Sequence, residues 1–307
     1  MLIGQVTAHG VQIRVDHKIG CALGKDVAVG QPIPAANMDR AIEALRAFVA
    51  LAQKHGVDVD SIPLITTAVV RNAENGADFV ARVRREVGID VRVLSGLEEA
   101  DVGFRGALGP LLRTPGRYAT IDLGGGSFQL AIGTERGLED GGSTQIGSNT
   151  ILDTMITPRT TGEGVVVDDV FAFVDATLKQ TAPLPLSPDL VRGRTLVATG
   201  GVSKFLRVHL GVDVVTRDDI DALRRKLGAL SVSERASFIA VGRSDDEKAA
   251  LGIGTTPGAA DYGKKLSASL SLLLHIVDGL NLSELRISST DARHALLDAA
   301  IDARSSR

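Results

Sequence analysis

Asp122 closes an apolar run, Ala119-Thr120-Ile121, and is followed by Leu123, three glycines at Gly124, Gly125 and Gly126, and Ser127. Glycine has no Cβ, so such a turn folds sharply and brings main-chain N–H groups within reach of an anion, by close approach or by positive φ. A carboxylate at the same strand end can hold a divalent metal or its waters against phosphate charge. The same residues would also make a tight hairpin in which Asp122 accepts turn N–H groups. Both readings stay open on this stretch alone.

Three further stretches carry chemistry. In Thr66–Phe79 (TTAVVRNAENGADF), Arg71 falls just past an expected strand and just before a helix, where a guanidinium and helix N-terminal N–H groups would share one anion. A surface arginine capping the sheet is the plainer alternative. Leu94–Asp101 (LSGLEEAD) sets Glu98 and Glu99 at a strand-to-helix junction, near where α/β sheets carry ligands. Acidic residues suit any first helical turn, which is the preferred reading for Glu98. Leu196–Phe205 (LVATGGVSKF) is a second strand, double-glycine, helix junction at Gly200 and Gly201, with helix-on-sheet packing as its alternative.

Composition bounds what these residues serve. The chain has 307 residues, 44% hydrophobic and 23% charged, enough for one large core or two smaller ones, and two domains are expected. Lys and Arg number 34 against 37 Asp and Glu, so no global basic field invites nucleic acid. Aromatic residues make up 3% with no Trp, which argues against base-stacking platforms. The lone Cys21 excludes an internal disulfide and a thiolate metal cage, and its expected role is a small buried hydrophobe. No basic start leads into an apolar run, and no stretch approaches the roughly 18 apolar residues of a membrane span. The expected location is the cytoplasm, with no membrane partner.

The elements that position these groups alternate along the chain. A hairpin is expected from Leu2–Thr7 and Val11–Val15, then a helix over Asn37–His55 with Met38, Ile42, Leu45, Phe48, Val49 and Ala52 on one stripe. A strand at 63–70, a helix at 77–87 closed by Gly88, a strand at 90–94 and a helix from Leu97 follow. After the turn around Pro115 the pattern restarts with strands at 118–123, 128–133 and 138–146, helices at about 149–157 and 167–179, and a strand at 195–199. Thr216 and Asp219 read as a capping box opening a helix to about Leu230. A long helix at 261–280, a strand at 284–288 and a helix from Asp291 complete the chain. Domains are expected at 1–115 and 116–307. If the two halves are duplicates, the first lacks the leading strand and turn that the second has.

Taken in this order, TTAVVRNAENGADFVARVRREVGIDVRVLSGLEEA, IDLGGGSFQL and ATGGVSKFL resemble the exopolyphosphatase and guanosine pentaphosphate phosphohydrolase family of the actin, Hsp70 and sugar kinase superfamily. A weaker likeness runs through ADYGKKLSASLSLLLHIVDGLNLSELRISSTDARHALL. The resemblance implies an α/β fold with two ribonuclease H-like domains around a cleft and Mg²⁺-assisted hydrolysis of terminal phosphoanhydrides of inorganic polyphosphate or guanosine pentaphosphate. It implies Glu99 as general base, Arg71 as a phosphate ligand, Asp122 as organiser of Mg²⁺ or its waters, and Gly124, Gly125, Gly126 and Ser127 as phosphate donors. Gly200 and Gly201 would line the second-domain side, and a homodimer is among the assemblies it allows.

The sequence departs from the family in three places. Gln129 is carried over with Asp122 as a metal-site residue, but it stands where a glutamate is usual, and a neutral amide adds no negative charge there. The leading strand and its Asp-x-Gly turn are absent ahead of Leu2. Ser288–Ala295 (SSTDARHA) replaces a more basic stretch, although Arg293 remains. A catalytically impaired protein that binds polyphosphate or alarmones is therefore the alternative reading. A sugar kinase or actin-like ATPase is a third, against which GLEEA and RNAENGADF speak. The basic groups Arg82, Arg84 and Arg85, and Arg224, Arg225 and Lys226, are read as solvated helix faces.

Overall fold

In a computed structural model the described residues are 1–8, 10–25, 27, 30–144, 146–151, 186–241 and 258–305. They form two compact units, Met1–Glu99 with Ala292–Arg307, and Ala100–Asp291. The expected boundary at 115 differs from this division, which falls inside a helix. Of the helices expected at 149–157 and 167–179, all but residues 149–151 lie outside the described residues.

The first unit opens with β1 (Leu2–Thr7) and β2 (Gly10–Asp16), an antiparallel hairpin closed by Thr7 opposite Gly10. Helix α1 (Ala35–Lys54) follows, then β3 (Leu64–Thr66), α2 (Ala68–Asn72), α3 (Gly76–Val87) and β4 (Val91–Val93), which runs parallel to β3. Helix α4 (Gly96–Leu108) begins in this unit. The apolar stripe of α1 does what its spacing demands: Met38, Ala41 and Ile42 meet Val70, Phe79 and Val83 in one buried cluster. Cys21 is half-buried against that cluster rather than fully inside it. Gly88 ends α3 in the left-handed conformation at φ 81°, as the glycine there predicts.

The strand expected over 63–70 is a correction. It stops at Thr66, and Ala68–Asn72 is helical. The β-branched Val69 and Val70 favour a strand locally, but burial of Val70 against Phe79 and Val83 overrides that preference. Arg71 therefore sits on a short helix, not in a strand-to-helix gap.

In the second unit β5 (Arg117–Leu123), β6 (Phe128–Thr134) and β7 (Gly137–Thr144) form an antiparallel meander, followed by the short helices α5 (Ser148–Ile151) and α6 (Pro188–Val191). Then come β8 (Thr195–Gly200), α7 (Gly201–Leu210), β9 (Val214–Thr216), α8 (Arg217–Ala229), α9 (Val232–Ala240), α10 (Gly258–Gly279) and β10 (Glu284–Ile287). The sheet order is β7-β6-β5-β8-β10-β9, with β5, β8 and β10 parallel. Alternate residues of β5 serve the two faces: Ala119, Ile121 and Leu123 join α10, while Tyr118 joins Phe104 and Leu108 of α4. The last helix, α11 (Ala292–Ser305), was expected with the second domain but packs on β1 in the first unit.

The expected capping box of Thr216 and Asp219 opens α8, and a second one, Ser231 with Glu234, opens α9. The basic cluster on α8 is not a solvated face throughout. Arg224 is buried, bonded to Asp221 Oδ1 at 2.6 Å, and the ammonium of Lys226 stands 4.4 Å from the Phe238 ring centre. Burial pushes the Asp221 carboxyl up, but hydrogen bonds from Arg224 and Arg225 outweigh it and hold it below its ordinary range. Buried Arg235 donates to the carbonyls of Leu227 and Leu230, meeting acceptors that the end of α8 leaves over.

Candidate active site

Asp122 is half-buried at the end of β5, paired across the sheet with Gln129 on β6 and Thr199 on β8. Two glycines border its carboxylate. A methyl group on Gly103 of α4 would lie 3.5 Å from Oδ2, and one on Gly200 would lie 3.1 Å from Oδ1 and 2.5 Å from the Leu123 carbonyl oxygen. Gly200 has φ +95° and is the residue from which α7 starts. The carboxylate thus stands where β5 ends and the N–H groups of a ten-residue helix begin.

The turn at 124–127 holds together by its own main chain. Gly124 N–H, expected to face phosphate, donates to the Ser127 carbonyl at 3.0 Å, and Ser148 N–H donates to the Gly124 carbonyl at 3.2 Å. None of Gly124, Gly125 or Gly126 has positive φ, so close approach alone is what glycine supplies here. Gly147 shows how close that is: a methyl group on it would lie 2.5 Å from the Gly125 carbonyl oxygen and 2.7 Å from Ser127 N. Gln129, expected as a metal ligand, is buried, and its amide Nε2 donates to Ser127 Oγ at 2.8 Å and Ser143 Oγ at 2.9 Å. It braces the turn from beneath.

Among the described residues no three His, Cys, Asp or Glu side chains converge as a metal cage. Mg²⁺ usually keeps several waters and takes one or two carboxylates plus substrate phosphates. A single strand-end carboxylate at Asp122 fits that pattern of donors. Gly201, the other expected glycine, is exposed at the first position of α7, with open space where a side chain would be.

In the first unit Glu99 and Arg71 are joined. Arg71 Nη1 donates to Glu99 Oε2 at 3.0 Å and to the Leu94 carbonyl at 2.6 Å. Glu99 is buried in the first turn of α4, whose N–H groups suit a carboxylate. Arg71, expected on phosphate, here fixes the orientation of Glu99. Arg293 is likewise engaged, paired with Asp16 on β2.

Glu98 plays the plainer part expected of it. Its carboxylate accepts from Ser95 N–H at 2.8 Å while Ser95 Oγ accepts from Glu98 N–H, a cap for α4. The Ser95 main-chain bond first, then Arg92 and the Ser95 hydroxyl, pull its pKa from 4.5 to about 2. A depressed carboxyl stabilises the fold above its unfolded pKa and ceases to do so as pH falls through the folded one. Glu98→Gln is therefore expected to lower Tm at pH 7, with the gap to the parent chain closing between pH 4.5 and about 2 in thermal melts.

Gly103, Gly147 and Ser148 were not singled out from the sequence. A glycine inside a helix costs about 1 kcal/mol against alanine, so Gly103 within α4 signalled a close approach that pattern reading passed over. Gly147 and Ser148 carry no such signal, because their partner is the main chain of another strand's turn.

The sheet order β7-β6-β5-β8-β10-β9, with helices between the parallel strands, defines a mixed α/β fold, and solved structures of Ppx/GppA proteins share it. The chain belongs to the Ppx/GppA phosphatase family, whose pattern matches residues 2–230. An exopolyphosphatase from Cytophaga hutchinsonii shares its fold with a TM-score of 0.78 at 22% identity, covering 98% of this chain and 94% of that one. The Aquifex aeolicus Ppx/GppA family member gives 0.70 at 18% identity, covering 99% and 94%. Exopolyphosphatase 1 of Mycobacterium tuberculosis is 30% identical over 97 residues, 32% of this chain and 28% of that protein. A bifunctional 3-dehydroquinate synthase/phosphatase of Fusobacterium nucleatum is 26% identical over 132 residues, 43% of this chain and 20% of that protein. The chain thus spans less than a third of the length of these curated relatives. No helix among the described residues is long and apolar enough to cross a membrane.

Proposed function

We propose that the chain removes the terminal phosphate of inorganic polyphosphate or of guanosine pentaphosphate by hydrolysis assisted by Mg²⁺. The observation that carries this reading is the Asp122 carboxylate, set against Gly103 and Gly200 at the start of α7. Membership of a phosphatase family, and likeness to proteins named exopolyphosphatase, support it.

The division of labour suits phosphoryl transfer, which needs positioning, charge neutralisation and an oriented water more than covalent help. Mg²⁺ held by Asp122 and phosphate oxygens would offset phosphate charge. Glu99 accepts the proton of the attacking water as its oxygen bonds to the terminal phosphorus. The bridging P–O bond breaks, and the shortened chain leaves with the bond pair. Arg71 keeps Glu99 Oε2 in one place, so the carboxylate does not have to be oriented during the reaction. Gly125, Gly126, Ser127, Gly200 and Gly201 take the phosphate against bare main chain.

The test is phosphate release from polyphosphate and from guanosine pentaphosphate with and without Mg²⁺, beside Mn²⁺ binding followed by electron paramagnetic resonance. Asp122→Asn is expected to lower release about 100-fold and to weaken Mn²⁺ binding with it, in line with the loss of one charge-stabilising group. Full activity in Asp122→Asn would sink the assignment. Tight polyphosphate binding without release would favour the second reading, an impaired polyphosphate- or alarmone-binding protein, whose support is the neutral amide of Gln129 beside the turn.

A further inference from the structure

One row of polar residues crosses the sheet of the second unit. Thr199 on β8 stands opposite Asp122 on β5, Asp122 opposite Gln129 on β6, and Gln129 opposite Ser143 on β7. Residues opposed in this way share a face of the sheet, and Ser127, two positions before Gln129, points to the same side. The residues next to the row, Ile121, Leu130 and Ala198, serve the apolar core on the other face.

Gln129 decides how two hydroxyls in this region are used. Its amide carries two protons, and both are directed at hydroxyl oxygens, Ser127 Oγ at 2.8 Å and Ser143 Oγ at 2.9 Å. A serine hydroxyl has a single proton, and where its oxygen accepts from an amide that proton is directed elsewhere. A carboxylate at position 129 would do the reverse. It only accepts, so it would draw the proton of each hydroxyl to itself and turn both donors away from any other anion. It would also stand directly opposite the Asp122 carboxylate, an unfavourable pairing of like charges.

Ser127 Oγ lies at the glycine turn, 3.9 Å from where a methyl group on Gly124 would be. Ser127 is 7% exposed, so water competes little for a hydrogen bond made there. Gly124 N–H is held by the Ser127 carbonyl, which leaves the hydroxyl to supply a donor that the main chain at this corner does not. We infer that Gln129 sets the Ser127 hydroxyl as a hydrogen-bond donor to a phosphate oxygen at the turn. Position 129 is then a determinant of anion affinity, and Gln129 is a positioning residue that acts through Ser127 without touching phosphate. This role rests on the proposed function, in which the turn receives phosphate.

The test is a double-mutant cycle read by calorimetric binding of inorganic tripolyphosphate in EDTA, where divalent cations do not contribute. In the parent chain Ser127→Ala is expected to weaken binding about tenfold, the loss of one hydrogen bond to a charged group. With Gln129→Glu already in place, Ser127→Ala is expected to change binding by less than about twofold, because the hydroxyl proton is already turned to the carboxylate. A residue that only braces the turn gives a different result: glutamate keeps a hydrogen bond with Ser127, so Ser127→Ala costs the same in both backgrounds. Equal losses in the two backgrounds, or no loss in the parent chain, would overturn the role of Gln129. Should Gln129→Glu fail to fold or to bind, Gln129→Met takes its place. Methionine donates nothing to Ser127 Oγ, and the loss on Ser127→Ala is then expected to shrink to about threefold. An unchanged tenfold loss in that background overturns the role. A parent chain that binds no tripolyphosphate sinks the proposed function as well, whereas binding with equal losses leaves that function standing.

Discussion

Glu99→Gln is expected to cut Mg²⁺-dependent phosphate release by about 1000-fold while leaving Tm within a few degrees of the parent chain. Glutamine keeps the size of the side chain and an oxygen able to accept from Arg71 Nη1, so the packing of a buried position is preserved. What it removes is the capacity to take a proton from water. A general base contributes about 100- to 10,000-fold, and nothing else in the first turn of α4 replaces it, since Glu98 is held by Ser95 and Arg92. The loss should fall on kcat, with polyphosphate binding retained, because the effect belongs to the transition state. A variant that releases phosphate at the parental rate would remove Glu99 from the reaction.

Gly200→Ala is expected to cost about 3 kcal/mol of stability and to weaken Mn²⁺ binding at Asp122. Its φ of +95° is closed to side chains without strain, and the new methyl would lie 2.5 Å from the Leu123 carbonyl oxygen, which is main chain and cannot swing away. The carboxylate of Asp122, 3.1 Å from the same methyl, must shift with it. Gly201→Ala is the control. Nothing lies within 4 Å of its added methyl, and alanine suits a helix start better than glycine, so its stability should be unchanged or slightly raised. Similar Tm values for the two variants, measured by circular dichroism, would mean that the β8–α7 junction is not the tight element described.

Much of this architecture was legible because local signals and tertiary demands agree. Alternation gave the hairpin, the stripe from Met38 to Ala52 gave α1, and Gly88 and the Thr216–Asp219 pair gave helix ends. Legibility failed where a distant partner decides. Val69 and Val70 read as strand until Phe79 is known to bury Val70 in a helix. Arg224 looked like surface because its neighbours in sequence are charged, and only the fold shows it buried against Asp221. In the candidate site, Asp122 and the three glycines were plain from spacing. That Gly124 N–H is taken by Ser127, or that Arg71, anchored on the Leu94 carbonyl, orients Glu99, depends on hydrogen bonds with no sequence trace.

The first unit is assembled from residues on both sides of the second. On the ribosome this sets an order of events. Ala100–Asp291 is one continuous stretch and can close as it emerges, whereas β1 awaits Leu297 and the rest of α11. At about 5 to 20 residues per second, the roughly 190 residues in between take on the order of 10 to 40 s to make. For that interval β1 is nascent chain without the cover that Leu297 gives it at Gly4.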